Sequence, residues 1–237
     1  MPTWNPWHGC HKISPGCLNC YVFRIDEQHG RDSSIIAKTH DFDLPLRRNR
    51  QGQYKLVAGE TVYTCFSSDF FLPDADVWRA DVWSMIRHRQ DLQFFIITKR
   101  IDRFQVGLPE DWGDGYDHVT IYSTVENQDR ADYRLPILAG LPIKHKGIIC
   151  EPLLEPINLT PYLGQQIEGV VAGGESGPQA RICDYAWIVD LHQQCQASQV
   201  PFHFKQTGYR FRKDGRIYLV KRQFQAEQAA KARLDYP

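Results

Sequence analysis

Neither sign of charge is in excess: 28 lysines and arginines stand against 28 aspartates and glutamates in 237 residues. A chain without net charge does not coat nucleic acid or anionic lipid through its overall field. No apolar run approaches the roughly 20 residues of a membrane-spanning helix. The opening Met1-Pro2-Thr3-Trp4-Asn5-Pro6 has neither the basic start nor the apolar core of a secretory leader. Tandem repeats and low-complexity tracts are missing as well. The seven cysteines are odd in number and unevenly spread, which fits free thiols in a reducing compartment better than a disulfide framework. These absences leave a cytoplasmic protein of ordinary globular composition, long enough to bury a core without staples.

What is present divides the cysteines. Cys10, Cys17 and Cys20 form a Cys-x6-Cys-x2-Cys loop, whereas Cys65, Cys150, Cys183 and Cys195 are scattered through strand-like and helix-like stretches. A small buried hydrophobe is the ordinary reading of the four.

Apolar runs recur at Val62–Phe66, Phe94–Ile97, Val119–Tyr122, Gly147–Cys150, Gly169–Ala172 and Phe202–Phe204, and Trp4 can mark a first strand. They do not alternate with polar residues, which suits strands of a parallel sheet covered on both faces. Helical patterns separate them at Asp76–His88, Arg130–Leu141 and Tyr185–Ala197. From Val62 to Phe202 the runs start on average 28 residues apart, about one βα unit. The spacing predicts an α/β fold, a partial or irregular TIM-like (βα) barrel formed as one domain over residues 1–237. An insertion after the first strand occupies 21–60, and a C-terminal extension at 208–237 carries a basic hairpin.

Polar residues follow the runs with regularity. Ser67 and Asp69, then Lys99 and Arg100, then Glu126 and Asn127, then Glu151, then Gly173, Gly174, Glu175 and Ser176, and finally Lys205 and Gln206 fall at successive strand ends. In a βα barrel these ends share the rim that gathers binding and catalytic groups. Caps and salt bridges at a rim would use the same residue types.

Three thiolates in a Pro- and Gly-containing loop point to zinc or an iron–sulfur cluster. Structural zinc usually takes four ligands, with His8 or His11 available as the fourth. A [4Fe–4S] cluster on three cysteines keeps one iron open, the arrangement with which radical S-adenosylmethionine (SAM) enzymes chelate and cleave SAM.

Several motifs in order make the chain similar to a family of uncharacterised phage and bacterial proteins with a three-cysteine motif and a radical-SAM-like barrel. The carriers are Trp4-Asn5-Pro6-Trp7 through Cys20-Tyr21, Ser68-Asp69-Phe70, Thr98-Lys99-Arg100, Val125-Glu126-Asn127, Glu151-Pro152-Leu153-Leu154, Gly173-Gly174-Glu175-Ser176-Gly177 and Phe204-Lys205-Gln206. The resemblance covers nearly the whole chain and implies a cluster on Cys10, Cys17 and Cys20. It departs from the main radical SAM pattern in three places. The first cysteine gap is six rather than three, Asn19 replaces an aromatic residue, and Gly173-Gly174-Glu175 follows the sixth strand rather than the second.

Local charge is less even than the total. From Phe202 to Arg222 seven cations, among them Arg210 and Arg212, face only Asp214, a net of six positive charges interleaved with Tyr209, Phe211 and Tyr218. Such a surface grips phosphates while its rings stack on bases. The expected function is a radical-SAM-like enzyme acting on a nucleic-acid or nucleotide-derived substrate, with an electron donor and a partner protein as further components. Ser67, Asp69, Glu126, Asn127, Glu151 and Gly173 to Ser176 are assigned to SAM, and Lys99, Arg100, Lys205, Gln206, Arg210 and Arg212 to substrate. The alternative is a zinc-clipped barrel that binds nucleic acid or protein without turnover. A metal-free hydrolase ranks last, because no nucleophile–base pair stands out.

Overall fold

Each apolar run folds as a strand. The computed structural model describes residues 1–237. Its strands are β1 (Thr3–Trp4), β2 (Trp7–His8), β3 (Ala37–Lys38), β4 (Thr61–Thr64), β5 (Gln93–Thr98), β6 (Val119–Thr124), β7 (His145–Cys150), β8 (Ile167–Gly173), β9 (Ile182–Asp184), β10 (Phe202–Gln206), β11 (Arg210–Lys213) and β12 (Arg216–Leu219). Its helices are α1 (Tyr21–Gln28), α2 (Asp76–His88), α3 (Gln128–Gly140), α4 (Tyr185–Ala197) and α5 (Arg222–Lys231). The seven expected strands make one seven-stranded sheet in the order β1-β4-β5-β6-β7-β8-β10, and β9, β11 and β12 make a second sheet. The fold is therefore mixed α/β. No helix is long and apolar enough to cross a membrane.

Two compact units share the chain. The first comprises Met1–Lys12, Val22–Tyr122 and Leu141–His145; the second comprises Ile13–Tyr21, Ser123–Gly140 and Lys146–Pro237. In the first, β1, β4 and β5 run parallel. A cluster of rings, Phe70, Trp83 and Trp112, packs edge to face with centroids 4.9 and 5.0 Å apart, a geometry that satisfies the ring quadrupoles. Arg79, fully buried on α2, donates to the carbonyls of Phe70, Leu72 and Val106 and so holds the segment after β4. The 21–60 insertion contributes α1 and β3, which pairs with β2.

In the second unit β7, β8 and β10 run parallel, and α4 packs on them through Ile188, Leu191 and Cys195. Asp184 caps α4 by accepting the Ala186 N–H at 2.8 Å, one of the orphan donors of a helix start. Tyr236 pairs with Phe202 on the free side of β10, which removes an open edge.

Two residues depart from their expected place. Cys65 and Phe66 lie past the end of β4, and Cys65 has φ 66°, because the chain turns there: the Cys65 N–H reaches Trp4 O at 2.7 Å and its carbonyl accepts from Ser68.

Candidate functional site

Parallel strands place chemistry in the loops at their carboxyl ends. In the first unit, the loop after β1 is fixed by Gly9. Its φ is +94°, and a Cβ there would meet Ile35 O at 2.6 Å and Ser33 O at 2.8 Å. The next residue, Cys10, donates its N–H to Ser33 O at 2.8 Å. Asp69, after β4, is buried and accepts from Thr98 Oγ1 at 2.7 Å, Phe71 N at 3.0 Å and Lys99 N at 2.9 Å. Arg100 faces the same carboxylate at 3.4 Å. It also donates to His11 O at 2.7 Å and to Cys10 Sγ at 3.7 Å. Asp69 thus positions Arg100, and Arg100 lays its positive charge against the Cys10 sulfur. Ser67 gives its N–H to Asn5 Oδ1 at 2.9 Å. Each nearby histidine has a carboxylate partner, His8 with Asp26 at 2.8 Å and His11 with Asp74 at 3.1 Å.

In the second unit, Ser14, Pro15, Gly16 and Cys17 form a tight turn in which Cys17 N donates to Ser14 O at 2.9 Å, and Cys20 N then donates to Cys17 O at 3.3 Å. Two buried carboxylates clamp it. Glu126 Oε1 accepts the Gly16 N–H at 2.9 Å, while Oε2 pairs with the buried Arg134 at 2.8 Å. A Cβ on Gly16 would lie 3.0 Å from the Glu126 carboxyl carbon. Glu175 accepts from Asn19 Nδ2 at 3.0 Å and from the Arg181 N–H at 2.8 Å and holds an ion pair with the Arg181 guanidinium at 2.5 Å. The residues directly before Cys17 and Cys20 are therefore each anchored.

Burial pushes the Glu175 carboxyl up, but the hydrogen bonds of Arg181 and Asn19 outweigh it, so it titrates below the ordinary glutamate range. Because the folded value lies below the unfolded one, the stabilisation is complete above the unfolded value. It is lost as pH falls through that range to the depressed folded value. Glu175→Gln is expected to lower the melting temperature at neutral pH and to narrow its distance from wild type on acidification. A constant difference between pH 7 and about pH 3 would refute this assignment.

The other expected site residues fall as follows. Asn127 Oδ1 accepts the Arg130 N–H at 3.1 Å at the start of α3, a capping role. Glu151 holds Lys205 at 2.6 Å and Gln206 Nε2, and Gln206 in turn accepts from Arg222. Gly173 sits against Glu151 and Gln206, whereas Gly174 packs against the Thr207–Gly208 backbone and Cys183. Ser176 is half-buried beside Glu175. Arg212 pairs with Asp184, Arg210 is exposed, and Lys99 is held through its backbone N–H. The residues missed from sequence are the partners, Gly16, Asn19, Arg134 and Arg181. Two of them left a signal: Arg134, as a cation beside Leu135 on an otherwise apolar helix face, and Asn19, as a polar residue where the main radical SAM pattern has an aromatic one.

All seven cysteines are free, and exposure separates them as spacing does. Cys10, Cys17 and Cys20 are partly exposed, whereas Cys65, Cys150, Cys183 and Cys195 are buried. Burial raises the thiol pKa of all four, and buried thiols are inert. No group of three or more His, Cys, Asp or Glu side chains is gathered closely enough to hold a metal ion. The fit of the loop to a metal therefore rests on its donor set, three accessible sulfurs in anchored turns.

Neither a curated protein nor a solved structure matches the chain. One family model, described as "Protein of unknown function (DUF5131)", matches residues 1–235, and the chain belongs to that family.

Proposed function

We propose that the protein is a radical-SAM-like iron–sulfur enzyme on a partial TIM-like barrel, with Cys10, Cys17 and Cys20 as the ligands of a [4Fe–4S] cluster. The observation that carries this reading is the partition of the thiols: the three with ligand spacing are the three that remain accessible. Held by these three thiolates, such a cluster would supply an iron site for SAM and the electron needed to cleave its sulfonium. The chain's own residues have separate tasks. Glu126 and Glu175 fix the turn that presents Cys17 and Cys20. Arg100, held by Asp69, sets a positive charge beside Cys10, which suits a thiolate ligand. Lys99, half-exposed, offers an ammonium to a carboxylate or phosphate. The phage origin, the electron donor and a partner protein belong to the same proposal.

A second reading is a zinc-clipped binding module. It is favoured by His11, whose Nε2 contacts Asp74 at 3.1 Å and leaves Nδ1 for a metal, the carboxylate–histidine arrangement of zinc sites.

Anaerobic reconstitution with iron and sulfide separates the two. The wild-type protein is expected to retain about four irons and four sulfides per chain and, with SAM and dithionite, to form 5′-deoxyadenosine. The Cys10→Ala, Cys17→Ala, Cys20→Ala protein is expected to retain neither. Equal iron in both proteins defeats the cluster, and stoichiometric zinc without 5′-deoxyadenosine establishes the second reading.

A further inference from the structure

The second unit carries a groove that none of the loop chemistry uses. It lies between the β11–β12 hairpin and α5 and encloses about 560 Å³. Asp214 and Gly215 turn the hairpin with φ values of 51° and 74°, the pair of left-handed residues that a tight two-residue turn needs. The resulting register opposes Phe211 to Tyr218 and Lys213 to Arg216, and residues directly opposite share a face. That face thus holds two rings and two cations, and α5 adds Phe224 with Lys221 just before it.

Three observations define what fits. First, Tyr218 and Phe224 are 48% and 42% exposed, so their rings are open to a ligand, while Phe211 beneath them is stacked on Phe204. Second, the groove is lined by Lys213 and Lys221 and by no carboxylate; the Lys213 ammonium lies over the Tyr185 ring at 4.6 Å, a contact that leaves its charge unneutralised. The other basic residues nearby have been taken up: Arg212 by Asp184, Lys205 by Glu151 and Arg222 by Gln206. Third, Lys213 and Arg216 stand directly opposite each other. Like charges so placed repel, and an anion seated between them removes the repulsion.

We infer that this groove binds single-stranded nucleic acid, with bases stacked on Tyr218 and Phe224 and phosphates held by Lys213, Arg216 and Lys221. Alternating flat apolar groups and phosphates are the chemistry that matches exposed rings flanked by unopposed cations. An acidic peptide would satisfy the cations and leave the ring faces wet. The inference deepens the substrate class of the function proposed above, but it does not depend on the cluster.

Fluorescence anisotropy of the full-length protein with labelled oligo-dT and oligo-rU of about 12 nucleotides tests it. Binding is expected at about 50 mM salt and is expected to weaken steeply by about 200 mM. Lys213→Glu with Arg216→Glu, and separately Tyr218→Ala with Phe224→Ala, should each weaken it at least about tenfold, with unchanged melting temperatures. Cys10→Ser, Cys17→Ser, Cys20→Ser protein should bind as wild type does, so a failed groove and a failed cluster give different results. No binding at low salt, equal binding by both groove variants, or duplex bound as tightly as single strands overturns the inference. So does poly-glutamate bound more tightly than the oligonucleotides, or a particle of twice the 27.5 kDa chain mass whose groove is covered by a second copy.

Discussion

Replacing Arg134 with Met is expected to destabilise the protein by about 3–5 kcal/mol, the cost of leaving one partner of a buried ion pair without the other. Glu126 and Arg134 are both almost entirely removed from water and lie 2.8 Å apart. The arginine also donates to Thr124 O at 2.8 Å. Without it, Glu126 would remain as a buried carboxylate stripped of its guanidinium partner, while Oε1 still accepts the Gly16 N–H. The carboxylate would then take a proton, admit water or move, and each response loosens the turn before Cys17. Glu126→Gln is the milder change, about 1–2 kcal/mol, because an amide oxygen still accepts from Gly16. Urea unfolding gives the stabilities, and the rate at which a thiol reagent modifies Cys17 gives the looseness of the turn. A loss below about 1 kcal/mol in the Arg134→Met protein, with unchanged Cys17 reactivity, would show that the pair does not hold the loop.

Gly174→Ala is the second large effect. A Cβ at this position would fall onto Thr207 O and within 2.9 Å of both Cys183 Cβ and Gly208 Cα. Two of these three neighbours are backbone atoms, which cannot swing aside as a side chain would. Gly208 has φ +77°, and a Cβ there would in turn lie 2.7 Å from the Gly174 backbone. Overpacking of this kind costs about 1–3 kcal/mol, and more where neighbouring backbone must shift. Gly164→Ala, with open space around its Cβ, is the matched control and should stay within about 0.5 kcal/mol of wild type. Thermal unfolding of the two proteins side by side decides the matter. At this chain length each kcal/mol moves the melting temperature by about 2–4 °C, and equal melting temperatures would refute the close approach. Because Glu175 follows directly, the displaced backbone should also weaken its hold on Asn19.

The strands were legible and much of the polar network was not, for a physical reason. Strands covered on both faces must be apolar throughout, so runs such as Phe94–Ile97 and Gly169–Ala172 announce themselves. Helix α1 did not. Its buried residues are Val22 and Asp26, and a buried aspartate breaks the periodicity that marks a helix. Asp26 is tolerated because Ser33 and His8 outweigh the cost of its burial and hold its pKa low, partners that no local pattern discloses. β2 and β3 are two residues each and leave no period to detect.

The strand-end residues were found as a set, since polar groups after apolar runs are visible in one dimension. Their partners were not visible. Glu126 meets Gly16 across 110 residues and Glu175 meets Asn19 across 156. Read from sequence, both glutamates were free to contact a ligand. Folded, each has two or more donors inside the protein, and the cysteine loop is the element they organise. Gly174 illustrates the same limit. Its lack of a side chain reads equally well as room for a ligand or as room for the Thr207–Gly208 backbone, and packing decides for the second.

The second sheet ends in β12, which pairs with β11 on one side only and has all four residues exposed. The segment Ile217-Tyr218-Leu219-Val220 is apolar and aromatic without interruption, which makes it a template for strand addition and aggregation. Arg216 before it and Lys221 after it are the flanking charges that keep such a segment from self-association. Solubility and ligand capture therefore rest on the same cations. Erasing their charge would invite intermolecular pairing along β12, whereas reversing it would preserve dispersion while repelling a polyanion.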